Sequence, residues 1–472
     1  MALVPLTVPT SSEHSRYKIE GSARLLNCYA EPTGSDAKAS WTSYAPSGLD
    51  LWATVQASGT LTGPAGVRAM LATDDYLYVV AGRKITAISA LGVQTVVATL
   101  PGDGDVYLAR NRRSPTPEVA VVSDGTMRII TGTSIAAVTD PDLPPPTSVS
   151  TLDGYFLVPT TFDRVWISGE DDGTTYSALD FGRAQRQPDN TLFVLGAERD
   201  AMVFGERSVE WWNNSPDGSG NFPFVPIASI NLGCAGAKTI VQLDRAVSWI
   251  ANDGTVRLQD GYSGQRISTH TVERAIGTAT TTIYGFGWTD QETGHAFLAW
   301  TCGTWTWVYN LRTGKWHEMQ SYKRTNWRGF NAVSWRGMSL IGDYEDGRIY
   351  QVRASVFSEG GDPIITDMVL PILHSAPYGI RLNAIYIDAV PGVGNDPDAH
   401  PLLMVSTSTD GGKTFGAARL IELGDTGQHI RRLKTYRFGS FGPTGCAVKI
   451  SCSASVARAI SGVYADVDQL SK

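Results

Sequence analysis

The sequence predicts an all-β protein, a β-propeller of about seven blades, with six also open, followed by a C-terminal β-sandwich. Three observations predict it. Hydrophobic residues make up 42% of the chain and charged residues only 18%, and 49 Gly and 24 Pro are spread along it, which is a globular, turn-rich composition. Thirteen Trp, 18 Tyr and 14 Phe suit pleated surfaces, and no Ala/Glu/Lys/Leu stretch keeps a helical period. Above all, one unit recurs: an apolar strand, a Gly/Asp turn, then a strand of alternating β-branched and aromatic residues.

The copies run in order. Met70 to Ile88 turns at Asp74-Asp75 and again at Gly82, and Val119 to Ile130 turns at Asp124-Gly125. Tyr155 to Ile167, Ala201 to Trp212 and Ala246 to Leu258 follow, the last through Asn252-Asp253-Gly254. His295 to Tyr309 and Met338 to Val352 complete seven. Their outgoing strands fall near residues 86, 128, 166, 210, 257, 308 and 349, a spacing of about 40 to 50 residues that is the period of four-stranded blades. Each hairpin leaves a face bare until a neighbour packs on it, so the ring must close. Residues 1–30, through the stretch Arg16 to Tyr29, are expected to close it by adding a strand to the last blade, with the propeller spanning 31–357.

Two interruptions stand out. Asp140 to Pro146, with three consecutive prolines, reads as a stiff spacer between the second and third units. Asn213 to Phe224 reads as a long exposed loop able to reach a partner. At Ser358 to Pro363 the period breaks, and 358–472 is expected to form the sandwich. Its six short strands are Arg381 to Val390, Leu402 to Ser408, Ala418 to Leu423, Lys434 to Phe438, Ala447 to Ser453 and Ala459 to Val467.

Ser408, Asp410, Gly412, Thr414 and Phe415 fit the Asp-box pattern of sialidases and other propellers. In that pattern the Asp accepts bonds from its own turn, so the expected role is a structural hairpin and not catalysis. Tyr309 to Trp316 resembles the kelch pattern, again a packing device. Trp300, Trp305, Trp307 and Trp316 would suit a sugar platform, but alternation within one unit favours packing between blades. A glycosidase needs two carboxylates held apart across a cleft. Glu170-Asp171-Asp172, Glu198, Glu210 and Asp343 to Asp346 offer acids, most of them at turns. The sequence contains no GxSxG, HExxH or GK[ST] motif and only seven His. No enzyme, cofactor or metal site is expected.

A formal charge of -7 argues against a protein that grips phosphates, although it suits a wall that DNA passes without sticking. Three basic groups are nonetheless present: Arg110, Arg112 and Arg113; Lys323, Arg324 and Arg328 around Trp327; and Arg431, Arg432, Lys434 and Arg437. They read as protein docking surfaces, the last being the main candidate. Five cysteines, Cys28, Cys234, Cys302, Cys446 and Cys452, have no CxxC spacing and indicate neither zinc nor a disulfide framework. Met1 to Pro9 lacks a basic n-region, and no apolar run is long enough for a membrane helix, so no membrane insertion is expected.

Several stretches together resemble the tail-hub proteins of short-tailed bacteriophages, also called packaged-DNA stabilisation or tail accessory proteins. One is Arg24 to Pro32 followed by Tyr44 to Leu49, where Ser47 stands between the Pro and Gly of the family's turn. Another is Tyr176 to Ala184 through Gln187-Pro188-Asp189, then Asp200 to Glu210, ending in Ser208-Val209-Glu210-Trp211-Trp212. The third is Ser406 to Phe415 with Arg432 to Phe441. The resemblance implies a virion tail protein assembled in the host cytoplasm, a nozzle-like homohexameric ring below the portal and head-to-tail adaptor. It would continue the channel for double-stranded DNA, retain packaged DNA until ejection and anchor tailspikes, fibres or a needle. The rival class is a carbohydrate-binding or glycoside-hydrolysing propeller, motivated by the Asp box and the Trp cluster.

Overall fold

The computed structural model describes residues 2–15, 21–58, 66–215 and 222–470. Seven four-stranded antiparallel units follow one another along the chain, five as separate sheets and two as parts of larger ones. Six are continuous meanders, over 67–99, 107–137, 150–183, 191–230, 241–266 and 284–318. The seventh takes three strands from 329–353 and its fourth from Gly48–Thr54. These are blades 1 to 7. Their third strands, Lys84–Ser89, Thr126–Thr131, Arg164–Gly169, Val209–Asn214, Val256–Asp260, Thr306–Asn310 and Arg348–Arg353, sit where the spacing of the repeat puts them. The turns explain the regularity. Between the second and third strands of blade 2, Asp124 and Gly125 both take positive φ, 50° and 69°, the two-residue turn whose twist matches a hairpin. The Asp140 to Pro146 stretch joins blade 2 to blade 3, as a spacer should.

The first strand of each blade lies innermost, and these strands meet in sequence around the axis, Gln242 reaching the Gly196 carbonyl between blades 4 and 5. Between every two consecutive blades lies one apolar cluster. Val80 meets Val121, Val122 meets Phe156, Ile167 meets Val203, and Phe204 meets Trp249. Ile250 then meets Trp300, Phe297 meets Ile341, and Leu340 with Trp335 closes back onto Leu77. Each sheet is thus buried on both faces by its neighbours, which is why second strands such as Tyr76–Ala81 and Glu118–Ser123 read as near-continuous apolar runs.

The closing strand differs from the expectation. Gly48–Thr54 pairs with the last blade, Leu49 opposite Val352 and Leu51 opposite Tyr350, whereas the described residues 21–29 of the Arg16 to Tyr29 stretch do not. Residues 16–20 of that stretch lie outside the described residues, and the rest joins the second body. Side-chain burial gives the reason. Leu25 through Ala30 are buried almost without a break, which suits a strand covered on both sides. Asp50 and Leu51 are exposed, as the outermost strand of a blade requires. Gly48 is held at the entry: its N–H donates to the Val356 carbonyl at 2.9 Å, and a Cβ there would lie 2.4 Å from that oxygen.

The second body is a two-sheet sandwich that draws on both ends of the chain. One sheet runs Tyr29–Pro32, Trp41–Tyr44, Ala459–Gln469, Ile380–Ala389, Leu433–Phe441, with Ala2–Leu6 also on Ala459–Gln469. The other runs Ser22–Leu26, Thr366–Val369, Ala447–Cys452, Leu402–Ser408, Arg419–Glu422. The division at 1–30, 31–357 and 358–472 therefore needs correction, since residues 22–44 belong to the sandwich. Leu25, Ile385, Val405, Ile450 and Val463 meet in its core. All six strands read from 381–467 are present, longer than expected at some ends and shorter by one residue at others, and Thr366–Val369 is additional.

A continuous sheet joins the two bodies. Leu26 pairs in parallel with Glu318 on the outer strand of blade 6, and Arg24 grips the Glu318 carboxylate through two bonds, 2.9 and 2.7 Å. Asn27, at φ 50°, donates to the carbonyls of Gln320 (2.7 Å) and Ile365 (2.8 Å) and accepts from Gln320 N–H (2.8 Å).

Candidate functional site: the propeller axis and the sandwich edge

An axis lined by seven inner strands is the obvious place for a ligand or a passage. At one mouth it is closed. Lys238, on the short 3-10 turn Ala237–Thr239 before blade 5, puts its ammonium 2.9 Å from the Val106 carbonyl and 3.7 Å from the Tyr107 ring centre, both in the blade 2 region across the ring. Tyr107 in turn meets Phe193 of blade 4, ring centres 5.5 Å apart. Desolvation pushes the Lys238 ammonium down to about 8, against the pull of Asp105. Arg68 donates to the Gly82 carbonyl at 3.0 Å, and its other terminal nitrogen is buried. The space left among Arg68, Asp105, Lys238, Tyr284 and Asn331 is about 50 Å³, room for a few waters and not for a sugar ring or a nucleic-acid strand.

The opposite mouth is an open funnel of about 610 Å³, lined in part by Arg110, Arg112 and Arg113. Two of these cations are already engaged. Arg112 pairs with Glu170 at 2.6 Å, and Arg113 pairs with Glu118, whose buried carboxylate also accepts from Asn111 Nδ2 and Gly173 N–H. In the second basic group, Arg328 is a fastening inside the protein. Arg328 is buried, donates to the Glu359 carbonyl at 2.6 Å and pairs with Asp362 at 3.0 Å, while Glu359 accepts from Trp327 Nε1 at 2.7 Å. Arg324 pairs with Glu345 at 2.7 Å, and Lys323 lies over Tyr322.

The acids weighed for glycoside chemistry are committed elsewhere. Buried Glu210 accepts from Arg186 N–H and Trp212 Nε1, both at 2.9 Å. Asp343, fully buried, faces Arg328 and accepts from Tyr350 at 3.1 Å, and Asp172 closes its own turn onto Thr174. Glu198 pairs with Arg245 at 3.2 Å. Trp300, Trp307 and Trp316 are buried in the seam between blades 5 and 6, where Trp300 Nε1 donates to the Thr239 carbonyl and Trp316 Nε1 to that of Ile267. Trp305 packs against the same seam, so these rings form no platform.

The Gln187-Pro188-Asp189 loop and the Ser208 to Trp212 strand form one unit. Asp189 accepts from Arg207 N–H (2.7 Å), Ser208 N–H (3.0 Å) and Ser208 Oγ, which pins the loop to the start of the strand. Of the Asn213 to Phe224 loop, residues 216–221 lie outside the described residues.

In the sandwich, Asp410 accepts from Ser408 Oγ (2.6 Å), Lys413 N–H (2.9 Å), Thr414 N–H (3.0 Å) and Thr414 Oγ (2.6 Å). Gly412 N–H donates to Ser408 Oγ at 2.8 Å, and Phe415 lies under the Lys449 ammonium. These donors hold the Asp410 carboxyl far below the usual carboxylate range. A carboxylate so satisfied by its own turn has nothing left to offer a substrate.

Arg431, Arg432, Lys434 and Arg437 are all exposed along Leu433–Phe441 and the segment before it. Arg431 pairs with Glu422, Arg432 lies 4.6 Å over the Tyr386 ring, and Lys434 lies 5.3 Å from the Tyr436 ring centre. Sequence reasoning missed their apolar neighbours Leu420, Ile430 and Tyr436, which are exposed beside them. An isolated Ile in the run His429-Ile430-Arg431 was the available signal.

A family model described as bacteriophage P22 Gp10, β-propeller, matches residues 44–357, more than half of the chain. No curated protein matches. Among solved structures, the WD40 β-propeller domain of Doa1 is 12% identical with a TM-score of 0.43, covering 65% of this chain and 96% of that one. A chain of the mitotic checkpoint complex is 9% identical at 0.43, over 64% and 95%. The computationally designed Ika8 protein is 11% identical at 0.39, over 70% and 99%. At such scores the likeness adds nothing to a fold that rests on its own seven blades.

Proposed function

Because this chain belongs to the bacteriophage P22 Gp10 β-propeller family, a family of structural phage tail proteins, we propose that it is the hub or nozzle subunit of a short tail. Several copies form a closed ring, six by the resemblance to tail hubs, which extends the DNA channel below the portal and adaptor. The ring retains packaged DNA and carries tailspikes, fibres or a needle. It assembles in the host cytoplasm and does no catalysis.

The observation that carries this reading is the family match over 44–357. The blocked axis refines it, because Lys238 bridges towards Val106 and the duplex must then run between copies and not along any one propeller. Net charge of -7 suits a wall that does not hold its cargo. The buried Trp seam and the self-satisfied Asp410, the features that motivated the carbohydrate reading, weigh against it. Mass photometry of the purified chain with its adaptor, followed by cryo-EM of the particle's tail, tests the proposal. A ring with the duplex between subunits is expected. A stable monomer that binds glycans would overturn it.

A further inference from the structure

Both sheets of the sandwich end on the same side. Leu433–Phe441 is the last strand of one and Arg419–Glu422 the last of the other, and Arg419 reaches across to within 5.0 Å of the Phe438 ring centre. Natural edges are usually blunted by a covering loop or by pairing, since their free amides recruit other strands. Here the segment leading into the edge is open. Ile430, Arg431 and Arg432 make no backbone hydrogen bond among the described residues, and the Ile430 side chain is fully exposed, with Leu420 63% and Tyr436 45% exposed.

The unpaired charges have one sign. Among the described residues no carboxylate pairs with Arg432, Lys434 or Arg437, while the nearby Glu422 is taken by Arg431 and Asp468 accepts from Asn383 at 2.8 Å. Beside the edge, an open groove of about 540 Å³ is lined by Arg381, Asn383, Tyr436 and Arg437. Arg437 stands in the bulge between the pairs Ala384–Tyr436 and Leu382–Gly439 with φ 65°, a backbone region that favours glycine, and such outliers gather at functional sites.

We propose that the edge Ile430 to Tyr436 receives an extended acidic segment of another protein. The segment adds as a strand, placing carboxylates against Arg432, Lys434 and Arg437 and an apolar side chain over Ile430 and Leu420. A nucleic acid would meet the cations but leave the free amides and the apolar pair unused, so a protein strand fits better. The choice of a protein partner rests on the attachment role proposed above.

The full-length chain is titrated with a fluorescent peptide of alternating Asp and Val, a Lys-Val peptide of equal length and a random DNA duplex, and amide exchange is followed at 430–436. The Asp-Val peptide should bind and slow exchange there. The double variant Arg432→Glu, Lys434→Glu should weaken binding at least about tenfold, two rim charge pairs being reversed. Ile430→Asp should weaken it too, with melting unchanged for Ile430→Asp, whose side chain is fully exposed, and only slightly lowered for the double variant, which loses the ring contacts of Arg432 and Lys434. No binding of the Asp-Val peptide at about 1 mM overturns the proposal. So does equal binding of the Lys-Val peptide, indifference to both variants, DNA binding in place of the peptide, or self-association through this edge that excludes it. A chain that binds the peptide yet never forms rings fails only the hub reading, so the two failures are separable.

Discussion

Propeller and sandwich are both built from short antiparallel strands, but they find their partners at very different distances along the chain. Within blades 1 to 6, each strand pairs with the next one in sequence, as Tyr78 does with Ala87 and Val121 with Arg128. In the sandwich, Arg24 lies opposite Val369 and Ala2 opposite Val467, so neither sheet is complete until both ends of the chain are present. Local pairing closes small loops and is entropically cheap; the sandwich must close loops that contain the whole propeller. The seventh blade is the exception that links the two regimes, because its fourth strand, Gly48–Thr54, also comes from far away. The repeated body thus specifies itself locally, while ring closure and the joint are long-range events.

The largest test strikes a seam between blades. Trp249, fully buried against Phe204 with ring centres 5.5 Å apart, should cost roughly 3–5 kcal/mol when changed to Ala. Chemical denaturation reads the cost, and exchange at Ile385 and Ile450 shows whether the sandwich loosens with it. If those sandwich amides stay protected, the two bodies open independently. If they are lost together, the shared sheet makes them one cooperative unit.

Next comes the joint. Asn27→Ala removes three side-chain bonds, strands the Gln320 N–H and Ile365 carbonyl, and puts a Cβ residue without a polar tip at φ 50°. A loss of about 2 kcal/mol is expected, with exchange rising around Gln320 and Ile365 while blades 1 to 4 are unaffected. An even rise throughout the propeller would mean that the joint also supports ring closure.

A third variant addresses the axis. Lys238 is held down to about 8 in the folded chain, against about 10.4 when unfolded. Between those values the unfolded chain binds the extra proton, so the stability of the wild type should rise as pH goes from about 8 to 10.4. Lys238→Met should flatten that slope while leaving the sandwich melting behaviour alone. Paired melts at pH 8 and 10 are sufficient to see it.

The smallest effect belongs to Asp410→Asn in the hairpin. The wild-type carboxyl is held far below its usual range, so its contribution is present above the unfolded value near 3.9 and lost as pH falls towards the folded one. A slight drop in melting temperature at neutral pH should therefore shrink in acid. A difference that persists unchanged in acid would deny the carboxylate its place in the turn.

Legibility followed the same divide. The third strand of every blade was readable because β-branched and aromatic runs recur beside turn residues such as Asp124-Gly125, and a local pairing needs only local information. The Trp seam and the Asp-box turn were readable for the same reason. The closing strand was not: both Ser22–Leu26 and Gly48–Thr54 are credible strands, and what separates them is which has two faces covered. The sandwich strands read from 381–467 were found, but their sheet order was not, and so the openness of Ile430 and Leu420 stayed hidden. A basic cluster looks alike in sequence whether buried, as Arg328 is, or free, as Arg437 is.

By itself, then, the sequence determined an all-β chain, its blade period, the position of its turns and the absence of the common hydrolase and nucleotide-binding motifs, because all of these are written in residues close to one another. Tertiary structure alone decided which N-terminal strand closes the ring, that Lys238 blocks one mouth of the axis, and that the sandwich leaves its Ile430 to Tyr436 side open. Those outcomes depend on which distant surfaces meet, and burial between distant segments leaves no local pattern to read.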